Sequence, residues 1–134
     1  MAEVGVKSLS TVTYLAEGGA IGANLIVVAG TANNQCALPG AAEALKQLGV
    51  TVTAAAAAGD PIQVCELGRA DLKVNANGAA IAVGDMVSSD GTTGRGQVAT
   101  LTNTKSVIGR ALQASSADGD LIAVFVLPYN LPAS

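Results

Sequence analysis

The groups that could do chemistry are few: ten Asp and Glu, seven Lys and Arg, two cysteines and no histidine. Without histidine the commonest general base and metal ligand is missing. Asp118 and Asp120 form a D-x-D, the way a calcium loop begins, but the ordered ligand series of such a loop does not follow. Asp60, Asp85 and Asp120 each follow a glycine and read as turn residues that accept hydrogen bonds from nearby backbone. No serine sits in a G-x-S-x-G elbow, and neither cysteine has a plausible base partner. Cys36 and Cys65 lack the spacing of a zinc or redox motif and read as buried reduced thiols, with a disulfide between them left open. The glycines of Gly91 to Gly96 are not followed by G-K-[ST], so they do not form a phosphate loop. The expectation is a protein that is not an enzyme and needs no cofactor or metal.

The elements that carry these residues repeat. Leu48 to Val64, LGVTVTAAAAAGDPIQV, returns as Ile108 to Val124, IGRALQASSADGDLIAV, with Gly49, Gly59-Asp60, Ile62 and Val64 matching Gly109, Gly119-Asp120, Ile122 and Val124. The offset is 60 throughout (119 − 59, 124 − 64). Ile62 and Val64 alternate with Gln63, the period of a half-buried strand, and Ile122 and Val124 do the same around Ala123. Glycine before each aspartate supplies a residue that tolerates positive φ. The alanine run Ala54–Ala58 could suggest a helix, but its copy, Ala114 to Asp118, is a poor one, so both are read as loops. Gly18 to Ile21 aligns with Gly78 to Ile81 at the same offset, and a one-residue shift then pairs Leu25-Ile26 with Met86-Val87. Two related β units follow, residues 18–65 and 78–125, inside a single β domain of residues 18–134.

Composition agrees. A chain of 134 residues suits one domain. Hydrophobic residues make up 50% and charged ones 13%, yet no apolar run is long enough to span a membrane and none reads as a secretory signal. Apolar surface without a membrane segment points to burial against other protein chains. Sixteen glycines, almost no aromatics and short runs of Ala, Val, Ile and Leu favour a small barrel or sandwich. The net charge is −3 and the cations are scattered, which leaves no basic footprint for nucleic acid.

Along the chain, residues 1–17 alternate through Val4, Val6, Val12 and Tyr14 and read as an extended arm able to pair with a strand edge of its own domain or of a neighbour. Pro39 to Leu48 is the one short-helix candidate, with Pro39 at its start and Gly49 as a stop. Cys65 to Val74 reads as a strand broken at Gly68-Arg69, and Ser88 to Gly96 as a flexible loop. Leu121 to Leu127, apolar at nearly every position, reads as a central strand buried on both faces, with Pro128 ending the pairing.

The runs GGAIGANLIVVAG, GAAIAVGDMVSSDG and VIGRALQASSADGDLIAVFVLP resemble the capsid decoration (cement) proteins of tailed bacteriophages, from about Tyr14 to Leu127. The resemblance implies a β-rich virion protein, homotrimeric, that binds the major capsid protein on the outer capsid surface and stabilises the expanded head, with no nucleic-acid or membrane partner. It would reside in the host cytoplasm during assembly. Val4, Val6, Val12 and Tyr14 are the expected capsid or subunit contacts. Other virion components, a head-fibre base or a tail protein, are the alternative, and a small carbohydrate- or peptide-binding module is a further one. The near absence of aromatic platforms disfavours a carbohydrate site.

Overall fold

Short runs of Val, Ile and Ala separated by glycine cannot build long helices, and they pair as strands instead. The computed structural model describes residues 8–39, 47–75, 80–90, 93–99 and 106–130. Among these there are nine strands and no helix: β1 (Ser8–Ala16), β2 (Ile26–Ala29), β3 (Gln35–Ala37), β4 (Gln47–Thr51), β5 (Pro61–Lys73), β6 (Met86–Ser89), β7 (Gly96–Val98), β8 (Ser106–Ala111) and β9 (Leu121–Asn130). The all-β expectation holds. The helix expected over Pro39–Leu48 lies mostly outside the described residues, and its last two positions, Gln47 and Leu48, begin β4.

The sheet order is β1-β3-β2-β4-β5-β9-β8-β6-β7, and a further β1–β5 pairing closes the first five strands into a barrel. β3 runs parallel to β1, and the other ladders are antiparallel. The remaining strands repeat the pattern. The second half of β5 pairs with β9 as β1 pairs with β5, and a parallel bridge Val74↔Gly96 stands where β1 meets β3. β5 therefore serves both units: Pro61 to Gly68 faces β1, and Gly68 to Lys73 faces β9. The break expected at Gly68-Arg69 does not occur: Gly68 takes φ 114 and the strand is continuous through it.

The 60-residue offset recurs in the hydrogen-bond register. Val50 pairs with Cys65 as Arg110 pairs with Phe125, and Ile62 lies opposite Tyr14 as Ile122 lies opposite Leu72. Ile26 pairs with Val50 and Met86 with Arg110, so Ile26 corresponds to Met86 without the one-residue shift expected from the sequence. On the strand that opens each unit the offset is 58: Asp60 accepts from Ala16 N–H at 2.9 Å and Asp120 from Val74 N–H at 2.9 Å, both through their carbonyls.

Two further corrections follow from the ladder. The loop expected over Ser88–Gly96 is partly strand, because Ser88 pairs with Gln97 and Ser89 with Gly96. Pro128 does not end the pairing of β9, which continues to Val107↔Tyr129 and Ser106↔Asn130. The register shifts between Val107 and Gly109, and Pro128 falls in that irregularity, where a missing N–H costs no ladder bond.

Each unit has its own core. Ala16, Ile21, Val27, Cys36, Ala55, Ile62 and Val64 fill the first barrel, with Tyr14, Leu38 and Leu48 at its margin. Leu72, Val74, Ile81, Val87, Ile108, Ile122 and Val124 fill the second at corresponding positions. Ile26, Val50 and Cys65, which belong to the first unit, are buried in the second unit's core. Gln47 Nε2 donates to Ser88 Oγ at 3.1 Å, and Ile26 N–H to the Gly94 carbonyl at 2.7 Å, across the same junction.

Candidate functional site

The turn carboxylates are occupied locally, as their positions after glycine suggest. Gly59 and Gly119 have φ 87 and 88, and each following aspartate accepts from a backbone N–H three residues earlier, Ala57 at 3.1 Å and Ala117 at 2.8 Å. Asp120 also accepts from Ser116 N–H at 2.7 Å and Ser116 Oγ at 2.9 Å. These bonds, the Ser116 amide foremost, hold its carboxyl below the usual range. Asp118 meets Arg95 at 3.4 Å instead of joining Asp120. Among the described residues no three His, Cys, Asp or Glu side chains converge on a point where a metal could sit. Cys36 and Cys65 form no disulfide and are both buried, in different cores. Burial, with Glu17 adding to it, pushes the Cys36 thiol up to about 11.

Of the four contact residues expected from sequence, Val4 and Val6 lie outside the described residues. From Ser8 onward the expected arm is β1, the strand that closes the first barrel. Its inner face must fill the core, so Tyr14 packs against Ile21, Ile62 and their neighbours, and its hydroxyl donates to Glu66. Burial first, then Glu66, pushes the Tyr14 phenol up to about 12. Val12 lies on the same face but nearer the rim and stays 36% exposed.

Further apolar exposure lies on β9. β9 presents Leu121, Phe125 and Leu127 outward while Ile122, Val124 and Val126 face the core. The expectation of a strand buried on both faces therefore fails at Leu121, Phe125 and Leu127, although Ala123 on the same face is buried. Phe125 (37% exposed) and Leu127 (49%) combine with Met86, Gly109, Arg110 and Leu112 to line a groove of about 460 Å³. Arg110 is the one charge in it, and its Nη1 donates to the Gly84 carbonyl at 3.1 Å. A second cleft, between Asn24, Thr51, Gln63, Arg69 and Asp71, is more polar. Apolar lining of this kind gains free energy when another surface covers it, and the lining holds no Asp, Glu, Cys, Ser or Lys. Sequence reasoning missed it because an apolar strand looks the same whether its second face is covered or not. The available signal was Arg110, a charge standing where the other repeat has Val50.

No curated relative matches the chain. The fold is similar to the crystal structure of the head fiber gp8.5 N base in bacteriophage phi29, with a TM-score of 0.62 and 21% identity over 92% of this chain and 98% of that one. Over residues 6–126 the sequence matches the family model described as phage cement protein, and the chain belongs to that family of phage structural proteins.

Proposed function

We propose that the protein binds the outer surface of a phage head through the major capsid protein, reinforces the expanded shell as a homotrimer, and has no catalytic role. The match to the cement family over residues 6–126 carries this reading. The described residues are consistent with it: a rigid β scaffold with its carboxylates tied up in turns, an acidic net charge suited to an outer rather than a DNA-facing surface, and apolar surface in reserve. Val4, Val6, Val12 and Tyr14 are proposed as capsid or subunit contacts, and assembly in the host cytoplasm precedes residence on the virion.

Co-sedimentation of the purified protein with empty expanded heads and with unexpanded procapsids tests the proposal. Expanded heads should carry the protein down and procapsids should not. Failure to bind either would overturn it. Removing residues 2–7 should weaken binding at least about tenfold, or 1.4 kcal/mol. Undiminished binding would exclude Val4 and Val6 as contacts. The likeness to a phage head-fibre base favours one second reading, a base that anchors a further fibre protein to the head. Recovery of such a fibre protein with labelled heads only when this protein is present would favour it.

A further inference from the structure

The repeat shows which surface of each unit is covered. Ile26, Val50 and Cys65 on the first unit are 0% exposed because they are packed in the second unit's core, together with Ala70, Ile108 and Val126. Their counterparts on the second unit, at the 60-residue offset, are Met86, Arg110 and Phe125, which line the open groove. The receiving residues also have counterparts. Ala70, Ile108 and Val126 correspond to Val12, Leu48 and Glu66 on the first unit, and these are only partly covered. Among the described residues, one chain thus presents a groove face of the plug type that stays partly exposed, and a rim of the receiving type that is only partly covered.

The charges support pairing the two. Val50 and Val126 share one buried cluster inside the chain. At the uncovered positions they are replaced by Arg110 on the plug and Glu66 on the rim, so that both apolar members become charged, and with opposite sign. Glu66 is held in place by the Tyr14 hydroxyl. We propose that the Met86–Arg110–Phe125 groove face of one copy docks head to tail on the Val12–Leu48–Glu66 rim of a second copy, repeating between chains the packing that joins the two units within one chain. The contact is heterologous, so it closes into a ring or continues as a filament. It deepens the self-association part of the proposed function and rests on that part alone, not on head binding.

Sedimentation equilibrium of the free protein, without heads, tests it. The wild type should show species heavier than the 13.1 kDa chain at submillimolar concentration. Arg110→Glu and Glu66→Arg should each weaken association at least about tenfold, and the double variant should recover it, with circular dichroism reporting that each is folded. Should Glu66→Arg disturb the fold through Tyr14, a second pair serves: Phe125→Asp and Val12→Asp, each defective alone, should form a heterodimer when mixed, because each retains one intact face. A monomeric wild type, unaffected single variants, or no recovery in either combination overturns the proposal. Heads that still bind a dissociated variant leave the capsid reading standing, and heads that bind nothing leave this one standing.

Discussion

Gly49 and Gly109 sit where the chain leaves no room for a side chain. A Cβ at Gly49 would lie 2.1 Å from the Cys65 carbonyl oxygen, and one at Gly109 would lie 1.9 Å from that of Phe125. Backbone cannot move aside as a flexible side-chain tip can, so Gly49→Ala and Gly109→Ala should each lower stability by at least about 3 kcal/mol or prevent folding, as urea denaturation would read. Tyr14 offers a spectroscopic probe. Its folded phenol titrates above the ordinary tyrosine value, so folding favours the protonated form. That contribution is complete below pH 10 and disappears as pH rises through about 12. Absorbance near 295 nm should show one tyrosine titrating late, and Tyr14→Phe should remove that phase. The two thiols should react with an aromatic disulfide reagent only after unfolding, since both are buried and Cys36 ionises late.

At the scale of elements, β1 is the strand on which the first barrel depends. It pairs with both β3 and β5 and contributes Ala16 and Tyr14 to the core. Truncation through Ala16 should therefore abolish folding, visible as loss of the β circular-dichroism signal. This marks how far the sequence was legible. Gly59-Asp60 and Gly119-Asp120 revealed the two turns because their φ and carboxylate bonds are local matters. Ile62 and Ile122 revealed paired strands through a period that survives any context. The role of Ser8–Ala16 was hidden, since its partner Pro61–Gly68 lies some fifty residues away and nothing in a weakly alternating segment says which edge it will meet. Pro128 misled because its tolerance depends on a register irregularity opposite Ile108. Phe125 misled because coverage of a sheet's second face is decided by the packing of whole units. Of the four expected contact residues, Tyr14 meets Glu66 through its hydroxyl and Val12 stands at the rim.

At the scale of the molecule, the two units share β5 and one buried cluster, which predicts that they unfold together. Calorimetry should give a single transition with equal calorimetric and van't Hoff enthalpies. Two separated peaks would mean that the junction is weaker than its packing implies. Acid should erode this stability. The carboxyls of Asp120 and Glu17 both titrate below their ordinary values, Glu17 chiefly through the Thr31 amide at 2.6 Å. Depressed folded values mean a contribution that is present above the unfolded carboxylate range and lost as pH falls through the folded ones. The melting temperature should drop on acidification, and less so in Asp120→Asn. The shared strand has a mechanical consequence as well. Two domains joined by a linker can be peeled apart by breaking contacts one after another. Here the covalent backbone of β5 crosses the waist at Gly68, with β1 on one stretch and β9 on the next. Tension along that strand must shear whole rows of hydrogen bonds at once, whereas a sideways pull can open them singly. The molecule should be stiff in one direction and compliant across it, and pulling by single-molecule force spectroscopy along the two axes should give unequal rupture forces.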